Sequence, residues 1–173
     1  EFDGSAWARI ARSHLGGLPP EVDLKAEVAL GNVVRALSAA DGPDGRPLVR
    51  AAHDLSNGGL VQSLVDSALR FGIGGVFDVA GAARRDCVGD HEMLLSESQA
   101  RAFVAVPEAA AALKAVFAAA EAEGVDAVRI GTTGGDMLAI SGVDLLAAEG
   151  EGCGWIASID ELRELSETGR KYF

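Results

Sequence analysis

A mixed α/β (α+β) fold, with helices covering a mixed sheet, is what this 173-residue sequence predicts, on three observations. Hydrophobic residues make up 49% of the chain but aromatics only 5%, so the core must be built from aliphatic helices and strands. Short strand-like runs, LVRAA at 48–52 and VFDV at 76–79, are interleaved with helical spacings such as Leu60, Leu64, Val65 and Ala68. Two more strand-like runs, AVRIG and DMLAISG, stand close together near the end, joined by Thr-Thr-Gly-Gly, and predict a hairpin.

The elements follow in order. Ser5 is placed to cap a short helix carrying Trp7, Ile10 and Ala11, stopped by Gly16-Gly17 and Pro19-Pro20. Asp23 caps the next, whose Leu24, Val28, Val33, Val34 and Leu37 run without a breaker to DGPDGRP at 41–47. That loop divides an N-terminal helical segment, 1–47, from an α/β core, 48–173, within one domain. The LVRAA strand leads through HDLSNGG into a helix, which GIGG at 72–75 ends before the VFDV strand. Residues 80–92 read as polar and irregular, and MLLSESQARAFVAV as strand, polar interruption, strand. A helix after Pro107 stops at Gly124, and a last one starts at Ser158 or Asp160 with Ile159, Leu162 and Leu165 on one face.

A formal net charge of −11, with no basic cluster longer than Arg84-Arg85, disfavours nucleic acid and anionic membrane as partners. Any phosphate must therefore be held locally, by backbone amides, one or two Arg and Mg²⁺. Cys87 and Cys153 form no C-x-x-C pattern, so neither zinc nor a disulfide framework is indicated, and a reducing cytoplasm is expected. EFDGSAWARI has no basic segment followed by an apolar one and no apolar run approaches membrane length, so a soluble, untargeted chain is expected. No G-x-S-x-G elbow supports a serine hydrolase, and His53 and His91 with Asp54 and Glu92 have no metal-ligand spacing.

Two polar clusters remain. In HDLSNGGL, Ser56 or Asn57 can simply cap the following helix and Asp54 end a strand. The same residues fit a site: Asp54 at a strand's carboxyl end facing a ligand crevice, Ser56 and the helix amides receiving phosphate, and Gly58-Gly59 allowing close approach. SESQAR at 96–101 reads either as an exposed edge strand or bulge, or as a ligand segment in which Glu97, Ser98 and Gln99 supply donors and acceptors and Arg101 faces phosphate.

Taken in order, HDLSNGGL, the strand after GIGG, LLSESQARAFVAV and RIGTTGGDMLAI resemble the C-terminal part of phosphoribosylformylglycinamidine synthase, over nearly the whole chain. HD-x-S-x-GG alone fits the wider superfamily that includes aminoimidazole ribonucleotide (AIR) synthetase and selenophosphate synthetase. The resemblance implies a three-layer α/β/α domain of the AIR synthetase C-terminal type, partly ferredoxin-like. It implies an ATP-dependent ligase that converts formylglycinamide ribonucleotide to the amidine with ammonia from a glutaminase subunit, in a complex with a small accessory subunit. Asp54 matches a position that holds Mg²⁺ in some relatives, and Ser56, with Gly58 and Gly59, a nucleotide (ATP or ADP) element. Glu97, Ser98 and Gln99 match a Glu-Ser-Gln string that binds the ribonucleotide in the first half of the family's internal duplication. Asn57 stands where relatives commonly have an acidic residue, and Leu95 where Phe is common. The family's catalytic histidine and Gly-rich nucleotide elements belong to preceding ATP-binding domains, so the resemblance implies that this domain alone is inactive. A domain of another superfamily member and a non-catalytic interaction module are the alternatives.

Overall fold

A computed structural model of the chain describes residues 4–86, 90–142 and 154–169. Cys87 and Cys153 lie outside the described residues, as does the side chain of His91. In chain order the elements are α1 (Ala6–Arg12), α2 (Leu24–Ser38), β1 (Ala51–Asp54), α3 (Gly59–Phe71), β2 (Gly75–Asp78), α4 (Ala80–Asp86), α5 (Asp90–Leu95), β3 (Ala102–Ala105), α6 (Ala110–Ala122), β4 (Gly131–Thr133), β5 (Met137–Ser141), β6 (Trp155–Ser158) and α7 (Ile159–Gly169). The expected mixture of helices with a mixed sheet is what is found. Among the described residues no helix is long and apolar enough to cross a membrane.

The chain divides into two compact units, Glu1–Asn57 with Glu97–Val128, and Gly58–Ser96 with Arg129–Phe173. In the first, Ser5 Oγ accepts the Ala8 N–H at 3.1 Å and so starts α1, as its sequence position predicts. Asp23 starts α2 by accepting the Lys25 and Ala26 amides. α2 packs on α6, and Val33, Leu37, Leu48 and Ala112 form the buried centre of the unit. Leu24 and Val28, read as part of that face, are exposed, because the buried stripe is confined to the second half of α2. β1 and β3 form an antiparallel ladder that pairs His53 with Phe103 and Asp54 with Ala102.

In the second unit a four-stranded sheet runs in the order β4-β2-β5-β6. β2 is antiparallel to β4 and parallel to β5, and β5 is antiparallel to β6. Phe77, Leu138 and Ile140 occupy its buried face, with α3 packed on α5 and α7. Of the predicted α7 face, Ile159 and Leu162 are buried and Leu165 is exposed.

Several sequence expectations are corrected. The predicted 127–142 hairpin does not form: β2 lies between β4 and β5, which therefore do not pair. Gly74 clasps the connection, its N–H donating to Gly135 O (2.8 Å) and its carbonyl accepting from Gly134 N (2.9 Å). A three-residue link reaches about 10 Å, enough to step over one intervening strand at roughly 4.8 Å spacing. Any Cβ on Gly74 would run into Met137 O, and one on Gly131 into Val76 O, so both glycines are needed where the strands close.

Met93-Leu94-Leu95 is not a strand but the last turn of α5, and the stretch read as irregular holds α4 and the start of α5. Met, Leu and Ala are strong helix formers without β-branching, and a short apolar run carries no decisive period. Asp78 Oδ1 accepts the Ala80 N–H at 3.0 Å where α4 begins. The first strand lies at 51–54 rather than 48–52, although Arg50 N–H already donates to Ala105 O.

Candidate functional site

The end of the β1–β3 ladder brings the two polar clusters of the sequence together within the first unit. Asp54 pairs with Ala102, and one step further the Leu55 N–H donates to Arg101 O at 2.9 Å. Residues 54–56 and the 97–101 segment thus leave the ladder at the same end. Asp54 ends β1 with its carboxylate 75% exposed and its Oδ1 3.5 Å from His53 Nδ1. His53 stacks on Phe103 with ring centroids 5.9 Å apart. Its Nδ1 lies 2.6 Å from the Asp54 carbonyl, an acceptor, which assigns the proton to Nδ1. Ser56 is exposed beyond the buried Leu55.

The 97–101 segment is neither an edge strand nor a bulge. It is a bend in which Ala100 takes φ +53°, a left-handed conformation costing a non-glycine residue about 1–2 kcal/mol. Two carboxylate hydrogen bonds tie it to residues distant in sequence. Glu97 Oε1 accepts the Ala6 N–H at 2.9 Å, at the start of α1, and Glu27 Oε1 accepts the Ala100 N–H at 2.8 Å. Ser98 is half-buried and Gln99 exposed. A straightforward alternation of Glu97 and Gln99 against Ser98 does not apply to a bent backbone.

Nothing in the sequence singles out Glu27. D-L-K-A-E reads as a capped first helical turn, and nothing local points 73 positions ahead to Ala100. An alanine gives no sign of positive φ as Gly or Asn would.

Gly58 and Gly59 belong to the second unit. Neither Ser56 nor Asn57 caps α3; the N-cap is Gly58, at φ +78° and without a side-chain cap bond. Gly59, at φ +66°, runs so close to α5's end that a Cβ would lie 2.6 Å from Leu94 O and 2.8 Å from Ser96 O. The space left by this glycine's missing side chain is therefore used by the chain's own backbone.

Among the described residues no group of three or more His, Cys, Asp or Glu is arranged to hold a metal ion. Asp54 alone offers one exposed carboxylate, a donor that suits Mg²⁺ when phosphate and water complete its shell. Among the described residues, the two carboxylates held below their usual range lie elsewhere. Asp44 is lowered by its hydrogen bond to Arg50, 2.6 Å away, and Glu161 by the amide and hydroxyl of Ser158.

Comparison with known proteins connects this geometry to a family. The model for the AIR synthase related protein, C-terminal domain, matches residues 1–141, running through both units. The PurL subunit of phosphoribosylformylglycinamidine synthase from Nocardioides sp. is 43% identical over 142 residues, 82% of this chain and 17% of that protein. The PurL subunit from Renibacterium salmoninarum is 41% identical over 174 residues, covering 100% of this chain and 20% of its own length. That from Mycobacteroides abscessus is 40% identical over 167 residues, 96% of this chain and 19% of its own. The chain spans about a fifth of the length of these curated relatives. It belongs to the AIR synthase related protein, C-terminal domain, family.

Proposed function

We propose that this chain acts as one domain of a cytoplasmic phosphoribosylformylglycinamidine synthase subunit in purine biosynthesis. That subunit is an ATP-dependent ligase that turns formylglycinamide ribonucleotide into its amidine. The observation that carries this reading is 41% identity to a PurL subunit across the whole chain. Its partners are the ATP-binding domains of the same synthetase, the glutaminase subunit that supplies ammonia, and a small accessory subunit. The chain contributes binding groups and by itself turns nothing over.

In this reading Ser98 and Gln99, with Glu97, address the ribonucleotide. Support comes from the bend, which leaves Gln99 exposed on the segment that departs from the same end of the ladder as the exposed Asp54 and Ser56. Asp54 is the Mg²⁺ ligand, and Ser56 contacts ATP or ADP. When bound, Mg²⁺ offsets phosphate charge in a chain whose own net charge is −11. The chain's residues supply one carboxylate and one hydroxyl.

A chimera tests the proposal. This chain replaces the matching fifth of the Renibacterium PurL subunit, and the gene is placed in a purine auxotroph lacking that subunit. Growth without added purine is the expected result. A chimera that is soluble and assembled yet fails to restore growth would contradict the proposal.

A further inference from the structure

We infer that Glu27 is a positioning residue that sets the conformation of the 97–101 bend and thereby the presentation of Ser98 and Gln99. Its consequence for substrate rests on the function proposed above; its geometric part does not. The bond from Ala100 N–H to Glu27 Oε1 is 2.8 Å long, partly buried, and joins positions 73 apart. A carboxylate acceptor makes it one of the stronger kinds of hydrogen bond. It falls on a residue at φ +53°, one of two non-glycine residues with positive φ among the described residues. The other, Ser13, is the C-cap of α1, where the left-handed conformation is a standard helix ending. Ala100 ends no helix, so its conformation needs an outside constraint, and Glu27 provides one.

Glu27 is itself well anchored. It lies in the first turn of α2, its N–H donates to Asp23 O at 3.0 Å, and the Asp23 carboxylate caps the same turn. On the other side of the bend the Leu55 N–H donates to Arg101 O, which fixes where the segment rejoins the ladder. With Glu97 held to Ala6, the residues between the anchors are Ser98 and Gln99. The bend therefore sets their direction, and Glu27 acts on a ligand only through it.

The test uses Glu27→Ala and Glu27→Gln, the latter keeping an amide oxygen as acceptor. Amide hydrogen exchange is read in the 173-residue chain, and the KM for formylglycinamide ribonucleotide in the assembled synthetase carrying it. In Glu27→Ala, exchange at Ala100 should quicken about tenfold or more while Ala8, capped by Ser5, is unchanged. KM should rise about tenfold with kcat within roughly twofold, and Glu27→Gln should recover most of both losses. Unchanged exchange at Ala100 in both variants would overturn the geometric claim. Faster exchange with unchanged KM would overturn the positioning role. A wild-type synthetase with no amidine-forming activity would refute the proposed function instead, and the exchange data would still decide whether Glu27 holds the bend.

Discussion

Glu97 and Ala6 lie 91 positions apart and share a hydrogen bond: the first amide of α1 donates to Glu97 Oε1 at 2.9 Å. A residue that the sequence offers as a ligand contact therefore also supports a helix. Glu97→Ala should cost about 1 kcal/mol or more, a fall of roughly 2–4 °C in Tm for a chain of this length. Glu97→Gln, which keeps an oxygen there, should lose less. An unchanged Tm for Glu97→Ala would show that the bond contributes nothing to stability.

Gly59 and Gly72 both take positive φ, at +66° and +63°, but only Gly59 faces backbone where a Cβ would go. Gly72→Ala should cost about 1 kcal/mol, the ordinary price of a left-handed alanine. Gly59→Ala adds a clash with main-chain atoms that cannot rotate away, and should cost roughly 3 kcal/mol or more. Urea denaturation of both variants checks the difference; equal losses would contradict the close approach to α5.

Ser158 and Glu161 form a reciprocal cap at the start of α7. The Ser158 N–H donates to Glu161 Oε2 at 2.8 Å, and the Glu161 N–H donates to Ser158 Oγ at 3.2 Å. Ser158→Ala should destabilise by about 1 kcal/mol. Glu161's carboxyl is held below its ordinary 4.5 by the Ser158 amide first and hydroxyl second. A lowered folded pKa means stability fully present above the unfolded value and lost as pH falls through the folded one. Stability should therefore drop more between pH 5 and pH 3 in the wild type than in Glu161→Gln, by denaturant titration at each pH. Parallel profiles would contradict the assignment.

How much of this could be read from the sequence depended on whether the signal was local. The caps at Ser5 and Asp23 and the Gly72 helix end are written in a few adjacent residues, and the structure has them where expected. The β4–β5 hairpin failed because nothing in RIGTTGGDMLAI reveals that a third strand enters between its arms. Met93-Leu94-Leu95 failed because three apolar residues fit either period. Within the candidate site, HDLS and ESQAR were visible as polar interruptions. Their convergence at one end of a ladder, and the hold of Glu27 on Ala100, depend on pairings that no local pattern carries.

Amidine formation in purified components bears most directly on the proposed function. Synthetase carrying this chain, supplied with formylglycinamide ribonucleotide, ATP, Mg²⁺ and ammonia, is assayed for formylglycinamidine ribonucleotide and ADP, beside the 173-residue chain alone. Equal amounts of amidine and ADP from the assembled synthetase, and none from the isolated chain, are the predicted result. No amidine from a correctly assembled synthetase, or turnover by the isolated chain, would contradict it.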